Sequence, residues 1–182
     1  MDIKVRSLTE ETSGDYFRLH SDDNKHGWCY CVAWWVPTWE GWSQRSIEDN
    51  RSMREHLFRI GEYDGYLMYD GDEPIGWCQA GPRDRLVKLI TEYRLPYDSD
   101  IWAITCFFII TKYRDIGLGQ HMLKEILEDL RKKGVRYVQG FPRRGKNLKV
   151  DDLWTGPENF FVNAGFNLER DDPNYPIYGL KL

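Results

Sequence analysis

The stretch that most constrains the fold runs from Ile101 to Lys133, where glycines join an apolar strand to an amphipathic helix. Its first ten residues are almost all apolar, and aromatic and β-branched types dominate, as in a strand buried on both faces. Apolar residues then recur at helical spacing from Leu118 to Leu130, and charged residues fill the positions between them. Gly134 follows a basic last turn and predicts the end of the helix. The stretch therefore predicts a strand, a glycine turn and a helix.

The turn of this unit, which contains Arg114, Gly117 and Gly119, predicts an anion site. A helix N-terminus presents backbone N–H groups without partners, and its dipole favours negative charge. Glycines let a bulky ligand approach the main chain, and the Arg114 guanidinium can bind a phosphate. A tight turn beside a solvated arginine would have the same sequence. The dinucleotide fingerprint and the Walker loop need glycine patterns that this turn lacks, so we expect a different cradle for a pyrophosphate.

The spacing Arg114-x-x-Gly117-x-Gly119, directly after an apolar strand, resembles the acetyl-CoA-binding signature of the GNAT N-acetyltransferase superfamily. A second segment, from Glu158 to Phe166, is similar to the short helix, aromatic pair and Gly-Phe step of the same family. The two matches follow the order of the family, and a strand-like segment lies between them. Together they identify the chain as a GNAT member on sequence grounds.

The resemblance covers the chain well from Tyr63 onward and implies one GNAT domain over residues 1–182. The implied fold is α/β (mixed α+β), with a twisted, mostly antiparallel sheet of about six to seven strands flanked by helices. In the family this sheet splays between its fourth and fifth strands. The order of strand-like and helix-like segments agrees, because one β-α-β unit surrounds the glycine turn.

The first third of the chain is predicted from local patterns alone. Alternation of apolar and polar residues predicts a strand over Ile3–Arg6, and a helix should begin at Ser7 or Thr9 and continue to about His20. Ser46 and Asp49 form a capping pattern before a second helix, Ile47–Ile60. Later elements are strands at Tyr66–Asp70, Ile75–Ala80, Val135–Phe141, Phe166–Glu169 and Tyr178–Leu182, with a weak helix at Asp84–Arg94.

A tryptophan-rich segment lies between residues 28 and 42 and contains five of the eight tryptophans. One interpretation is aromatic packing that seals one side of the core. The family resemblance gives another, because this region usually forms a wall of the acceptor site. Trp28, Trp34 and Trp35 would then present a rigid apolar wall or a face for a cationic amine. Both interpretations stay open from sequence.

Four cysteines, Cys29, Cys31, Cys78 and Cys106, are too few for a disulfide scaffold in a chain of this length. Cys29 and Cys31 form a C-x-C pair, whereas a metal site would normally use C-x-x-C pairs and four ligands. Cys106 lies inside the predicted central strand, where we do not expect it to join the other two. We therefore expect no metal and interpret the cysteines as reduced and packed.

The resemblance also implies where acetyl-CoA binds. In the family, the pantetheine arm pairs with the open edge of the central strand, so Phe108, Ile109 and Ile110 should face it. The backbone N–H of Ile109 is the expected donor to the thioester oxygen. The turn and the short helix should hold the rest of the cofactor. The complete expected cofactor set is Phe108, Ile109, Ile110, Arg114, Asp115, Ile116, Gly117, Leu118, Gly119, Gln120, Asn159 and Phe161.

The acid and the base of the reaction are harder to assign. Many relatives carry a tyrosine at the second aromatic position of the short helix, where it protonates the departing thiolate, but Phe161 stands here. The central strand has no acidic residue, so Asp98, Asp100 or a water chain would have to serve as base. A basic loop, Pro142–Lys149, is interpreted first as exposed and alternatively as a contact for the 3′-phosphate of CoA.

The expected function is transfer of the acetyl group of acetyl-CoA to a primary amine of a small molecule or peptide, by direct attack on the thioester. Two alternatives remain: a GNAT-like CoA-binding regulatory module without catalysis, and a zinc- or thiol-centred protein built on Cys29 and Cys31. A net charge of −4 and a pI near 5.6 disfavour nucleic-acid binding. We expect a cytoplasmic protein without membrane contact, because no signal peptide or membrane-length apolar run occurs. A homodimer is compatible with the resemblance.

Overall fold

The computed structural model describes residues 1–21 and 27–182. One seven-stranded sheet runs through it, with the strands in the order β1-β2-β3-β4-β5-β7-β6. The strands are β1 (Ile3–Ser7), β2 (Tyr66–Asp70), β3 (Glu73–Pro82), β4 (Ile101–Ile109), β5 (Tyr137–Gly140), β6 (Asn167–Arg170) and β7 (Ile177–Lys181). The α-helices are α1 (Ser13–Ser21), α2 (Ile47–Arg59), α3 (Val87–Glu92), α4 (Leu118–Lys132) and α5 (Glu158–Asn163). Short 3₁₀ turns lie at Gly27–Cys29, Trp42–Gln44, Arg83–Arg85, Thr111–Tyr113 and Val150–Leu153.

The sheet is antiparallel except for the pair β4 and β5, which run parallel. This parallel pair is the β-α-β unit predicted from the sequence, because α4 makes the crossover between its two strands. The mixed fold, the number of strands and the flanking helices are all confirmed. No helix within the described residues is long and apolar enough to cross a membrane.

The two central strands diverge along half of their length. β4 pairs with β5 only from Ile101 to Ile104, so the second half of β4 leaves its partner. The register of β4 against β3 shifts at the same place, where Gln79 faces Cys106 and Ala80 faces Ile104. Such a bulge bends the strand and increases its twist. The predicted splay between the fourth and fifth strands is therefore present, and it opens one edge of β4.

The helices cover the two faces of the sheet. On one face, α4 packs its apolar stripe into the main core, and Met122, Ile126 and Leu130 are fully buried there. On the other face, α1, α2 and part of the tryptophan-rich segment enclose a second cluster around Trp77. A third cluster, which contains Trp34, lies beside α3. The helical stripe identified in the sequence thus faces the core as predicted.

The start of the first helix differs from the prediction. α1 begins at Ser13, because Ser7 extends β1 and pairs with Tyr66. Residues 10–12 form a turn, in which the Thr12 hydroxyl accepts the N–H of Thr9 at 2.9 Å. The sheet therefore competes successfully with the capping pattern at Ser7. The predicted capping box before α2 is confirmed.

Candidate active site

The N-terminus of α4 is open to solvent and lacks a side-chain cap among the described residues. Gly117 is its N-cap and has a φ of 86°, in the left-handed region where glycine is favoured. Nothing lies within 4 Å of the position that a Cβ on Gly117 would occupy. Asp115 also has a positive φ, 62°, and both Asp115 and Ile116 are exposed. The first backbone N–H groups of α4 are therefore uncapped and accessible, and they suit an anion.

Gly119 has a packing role that the sequence did not reveal. A Cβ on this buried glycine would lie 2.6 Å from the ring of Phe160, so only glycine lets α4 and α5 approach. Gln120 supports the same contact, because its Nε2 donates to the Phe160 carbonyl at 3.1 Å. The sequence predicts both residues as cofactor contacts through their main chain. Through their contacts with Phe160, Gly119 and Gln120 also fix the position of α5 against α4.

Arg114 braces the strand that precedes it. Its Nε donates to the carbonyl oxygen of Ile109 at 2.6 Å, and its side chain is half-buried. The motif arginine thus ties the turn to the end of β4, in addition to any contact that its terminal nitrogens make with a ligand. This bond fixes the last peptide units of the strand.

The open edge of β4 is defined by the alternation of its backbone groups. Ile110 N–H donates to Ile75 O at 3.0 Å, so the main chain of Phe108 and Ile110 points toward β3. The N–H groups of Phe107 and Ile109 point the other way, toward the splay. Of the three strand residues predicted to face the cofactor, Ile109 alone therefore directs its peptide N–H to the open edge. The Phe107 N–H points the same way, but the Trp154 carbonyl already accepts it.

A segment after the basic loop fills part of the splay. The carbonyl of Trp154 accepts the N–H of Phe107 at 2.7 Å, so this segment continues the hydrogen bonding of the β4 edge. Gly156 has a φ of 93° and packs against the Phe107 ring. The Thr155 hydroxyl is buried, and no partner for it is found among the described residues. The edge of β4 is thus open at Ile109 and is covered at Phe107 by this segment.

A cleft of about 430 Å³ begins at the same segment. It lies on the side of the sheet that carries α3, beside the third core cluster. Trp154 and Thr155 belong both to the splay and to the cleft lining, so the two spaces meet there. The aromatic walls of the cleft are Trp34, Trp39, Tyr93, Trp154 and Tyr175.

Two carboxylates and two guanidinium groups line the cleft, so its formal charges balance. Arg143 binds Asp152 at 2.9 Å, and Arg170 Nη1 donates to the Tyr93 carbonyl at 2.5 Å, so both arginines have partners in the protein. Glu92 and Asp172 also line the cleft. Backbone N–H groups that bind the Asp172 carboxylate lower the pKa of this group and keep it ionised. An aromatic cleft with two carboxylates suits a cationic amine.

Comparison with known proteins decides the family. Residues 16–154 match the model of the Acetyltransferase (GNAT) family, which is well over half of the chain. The protein belongs to the GNAT acetyltransferase family. It is therefore an acyltransferase, and acetyl-CoA is the acyl donor of this family. A sequence search of curated proteins returned no match.

Solved structures of GNAT proteins have the same fold. The PaiA N-acetyltransferase of Thermoplasma acidophilum, in complex with coenzyme A, has a TM-score of 0.58 at 15% identity, covering 100% of both chains. An acetyltransferase of Thermus thermophilus has a TM-score of 0.57 at 16% identity, covering 100% of this chain and 98% of that one. The ribosomal-protein-S18-alanine N-acetyltransferase of Escherichia coli has a TM-score of 0.54 at 12% identity, covering 98% and 93%. At these identities the likeness concerns the fold.

Only one of the three tryptophans predicted to form a wall of the acceptor site lines the cleft. Trp34 lines the cleft, but Trp28 packs its ring against Trp42, 5.4 Å away between centroids. Trp35 lies over the guanidinium of Arg54 and donates from its Nε1 to Glu62 at 3.3 Å. Neither Trp28 nor Trp35 is among the residues that line the cleft. These two rings therefore serve packing, which was the other interpretation of the segment.

The two predicted residues on α5 differ in accessibility. Asn159 is exposed, whereas Phe161 is fully buried in the main core. A Cβ on Gly140 would overlap the Phe161 ring, and Phe166 packs on it edge to face at 5.3 Å. The Phe161 side chain is therefore enclosed by protein, and the cofactor contact predicted for this residue stays a prediction. Its side chain anchors α5 under the splay.

Replacement of Phe161 by tyrosine should not create the acid that many GNAT enzymes use. The added hydroxyl would enter a fully buried apolar site, and an unsatisfied buried hydroxyl costs about 1–3 kcal/mol. We expect a lower midpoint of urea unfolding and no gain in kcat. A rise in kcat at unchanged stability would show instead that this position reaches the thiolate.

The acids expected from sequence lie outside the cleft. The N–H of Asp98 donates to Asp84 at 2.8 Å, and Asp100 is exposed, 3.7 Å from Arg136 at the opposite end of β4. The carboxylates that do line the cleft are Glu92 and Asp172, and nothing in the sequence places them near the central strand.

The basic loop is also partly neutralised. Arg144 binds Glu158 and Asp171, and these carboxylates raise the pKa of its guanidinium. Its role is to connect the loop to α5 and to the end of the chain. The alternative interpretation of this loop, a contact to the CoA 3′-phosphate, loses Arg144 as a candidate.

The cysteines form a tighter group than predicted. Cys31 Sγ lies 2.9 Å from Cys106 Sγ and 3.8 Å from His20 Nε2, so Cys106 does join the C-x-C segment. Burial lowers the pKa of His20 to about 3, and all four thiols are free. No group of three or more His, Cys, Asp or Glu side chains in residues 1–21 and 27–182 is arranged to hold a metal ion. The thiols pack the β4 strand against the tryptophan-rich segment.

Proposed function

We propose that this GNAT enzyme moves the acetyl group of acetyl-CoA to the primary amine of a small molecule or peptide. The observation that carries the proposal is the junction at Trp154, where the open edge of β4 meets an aromatic cleft that contains Glu92 and Asp172. A donor held along the edge and an amine held in the cleft would meet there. Direct attack of the amine on the thioester then needs no covalent enzyme intermediate.

The donor side of the site is formed mainly by backbone groups. The uncapped N-terminus of α4, with residues 115–120, suits the diphosphate of acetyl-CoA. The pantetheine arm would lie along the open edge of β4, and Asn159 is exposed nearby on α5. We propose the Ile109 N–H as the donor to the thioester oxygen, which gains negative charge during attack. Arg114 supports this role, since it fixes the carbonyl of the same residue.

The acceptor side is the cleft. Glu92 and Asp172 would attract a protonated amine, and Glu92 or a water beside it would take the proton that the amine must lose. The buried hydroxyl of Thr155 offers a hydrogen bond at the junction with the β4 edge. The departing thiolate needs little help, because thiols have a pKa near ~8.5. The absence of tyrosine at Phe161 is therefore compatible with catalysis.

The alternative is a GNAT protein that binds CoA without transferring the acetyl group, and the replacement of the usual tyrosine by Phe161 favours it. The aromatic cleft with its two carboxylates favours an enzyme, because a CoA-binding module does not need an amine site.

A thiol-release assay separates the two functions. Acetyl-CoA would be offered with tyramine, spermidine, an aminoglycoside and a peptide with a free N-terminus. We expect thiol release above hydrolysis with at least one amine, together with the N-acetylated product by mass spectrometry. Tight CoA binding without release for every amine class would support the binding module instead.

A further inference from the structure

Lys88 lies in a cage of three tryptophans. This residue of α3 is fully buried, and its Nζ lies 3.1 Å from the ring centroid of Trp39. The Trp42 centroid is 5.1 Å away and the Trp34 centroid is 5.9 Å away. All three distances are within the range of cation–π attraction.

The ammonium group makes no hydrogen bond in the part of the chain that the structure describes. Lys88 Nζ is buried without a hydrogen-bond partner there, although a lysine ammonium is strongly hydrated in water. Such burial is costly unless the charge interacts with something else. The faces of the tryptophan rings are its direct contacts, and the Glu92 carboxylate on the same helix adds a favourable charge interaction. A buried ammonium group whose desolvation cost is retained in the fold is typical of a residue with a functional role.

The cage and the cleft share two of their rings. Trp34 and Trp39 line the cleft, and their centroids are 5.6 Å apart in an edge-to-face pair. Trp34 also packs on Trp154, 5.4 Å away, at the junction with the β4 edge. The backbone N–H of Lys88 donates to the Trp34 carbonyl at 3.1 Å, which ties α3 to the same segment. A change at Lys88 would therefore reach the acceptor wall directly.

We propose that the Lys88 ammonium is a positioning residue, which holds Trp34 and Trp39 in the arrangement that forms one wall of the cleft. The role of the cleft as acceptor site rests on the proposed function. The ordering of the rings by Lys88 does not rest on it and is measurable by itself. The sequence did not indicate this residue, because Lys88 is far from the tryptophan-rich segment along the chain and only the fold brings them into contact.

The charge of Lys88 should respond to pH in an accessible range. Burial lowers the pKa of this ammonium to about 8, while Glu92 on the same helix raises it and Arg45 lowers it. Deprotonation removes the cation–π attraction, so the environment of the rings should change as pH rises through about 8. Because the pKa is lower than in the unfolded chain, the same deprotonation does not weaken the fold as a whole.

The test compares Lys88→Met, which keeps an unbranched apolar chain, with Lys88→Arg, which keeps the charge. We expect near-UV circular dichroism of wild type to titrate with a midpoint near pH 8, and the Met variant to show a reduced signal without that titration. The Arg variant should keep a strong signal across the range. Coenzyme A binding and far-UV spectra would verify that each variant is folded. Wild type alone supplies the pH titration if a variant fails to fold.

Kinetics with tyramine as the amine probe complete the test. KM for tyramine should rise at least about tenfold in Lys88→Met, with a smaller change in kcat and unchanged coenzyme A binding. A wild-type near-UV spectrum in Lys88→Met, or an unchanged KM beside an altered spectrum, would overturn the proposal. If no amine releases thiol, the proposed function fails, and the spectra decide alone whether Lys88 orders the rings.

Discussion

Replacement of Gly117 by aspartate should weaken the binding of coenzyme A at least about tenfold, or ~1.4 kcal/mol. The new carboxylate would stand at the N-terminus of α4, where the diphosphate is proposed to bind, and would repel it. Its Cβ would enter open space, so no neighbouring atom has to move. The backbone keeps its φ of 86°, which aspartate and asparagine tolerate better than other residues.

Gly117→Asn is the matched control, because it has nearly the same shape and the same backbone strain without the charge. We expect Gly117→Asn to lower the affinity for coenzyme A clearly less than Gly117→Asp does. Both variants should unfold at similar urea concentrations. Titration calorimetry at low salt measures the difference, since screening weakens it. Equal affinity in the two variants would mean that no anion binds at this turn. Gly119 is unsuitable for the test, because any side chain there meets Phe160.

Replacement of Arg54 by methionine should lower the free energy of unfolding by about 3–5 kcal/mol. Arg54 is fully buried on α2, and its guanidinium donates to Tyr30 O at 3.1 Å and to Cys31 O at 2.8 Å. Both acceptor residues have a positive φ, 42° and 44°, which non-glycine residues rarely adopt. Methionine would remove the charged donor from both carbonyls, and the Tyr30 carbonyl would keep only its bond from the Tyr16 hydroxyl at 2.6 Å. The strained turn of the tryptophan-rich segment would then lose its charged contacts.

Arg51→Met on the same helix provides the comparison. Arg51 is exposed and pairs with Glu55 at 2.9 Å, an i,i+4 contact worth about 0.3–0.5 kcal/mol. Urea unfolding followed by circular dichroism should therefore separate the two variants by several kcal/mol, roughly the loss of two charged hydrogen bonds. If the free energy of unfolding falls by the same small amount in both variants, the strained turn does not depend on Arg54.

The elements that the sequence predicted well are those with a strong local period. α4 repeats its apolar residues every three to four positions, and β4 is a continuous apolar run, so each was recognised without knowledge of its neighbours. The start of α1 was wrong for the opposite reason. Ser7 has a good capping pattern, but its pairing with Tyr66 depends on a strand far along the chain. Local preference lost to a tertiary contact there.

The sequence predicts residues for the donor side of the candidate site, but it does not indicate the cleft that is proposed as the acceptor side. The glycine turn is one short motif, so its residues are neighbours in sequence. Glu92, Trp154 and Asp172 come from separate segments, and only the order of strands in the sheet brings them to one cleft. The burial of the Phe161 ring was not predicted, because its motif position resembles a ligand contact, whereas its burial depends on Gly140 in β5.

A crystal structure of the protein with coenzyme A would test the central claim most directly, namely that the main chain of β4 and α4 forms the donor site. We predict that the diphosphate lies against the N–H groups beside Gly117. The thiol should lie near the Ile109 N–H, at the side of the splay where Trp154 opens the cleft. Coenzyme A bound away from the α4 turn, or crystals that bind none at saturating concentration, would contradict the account.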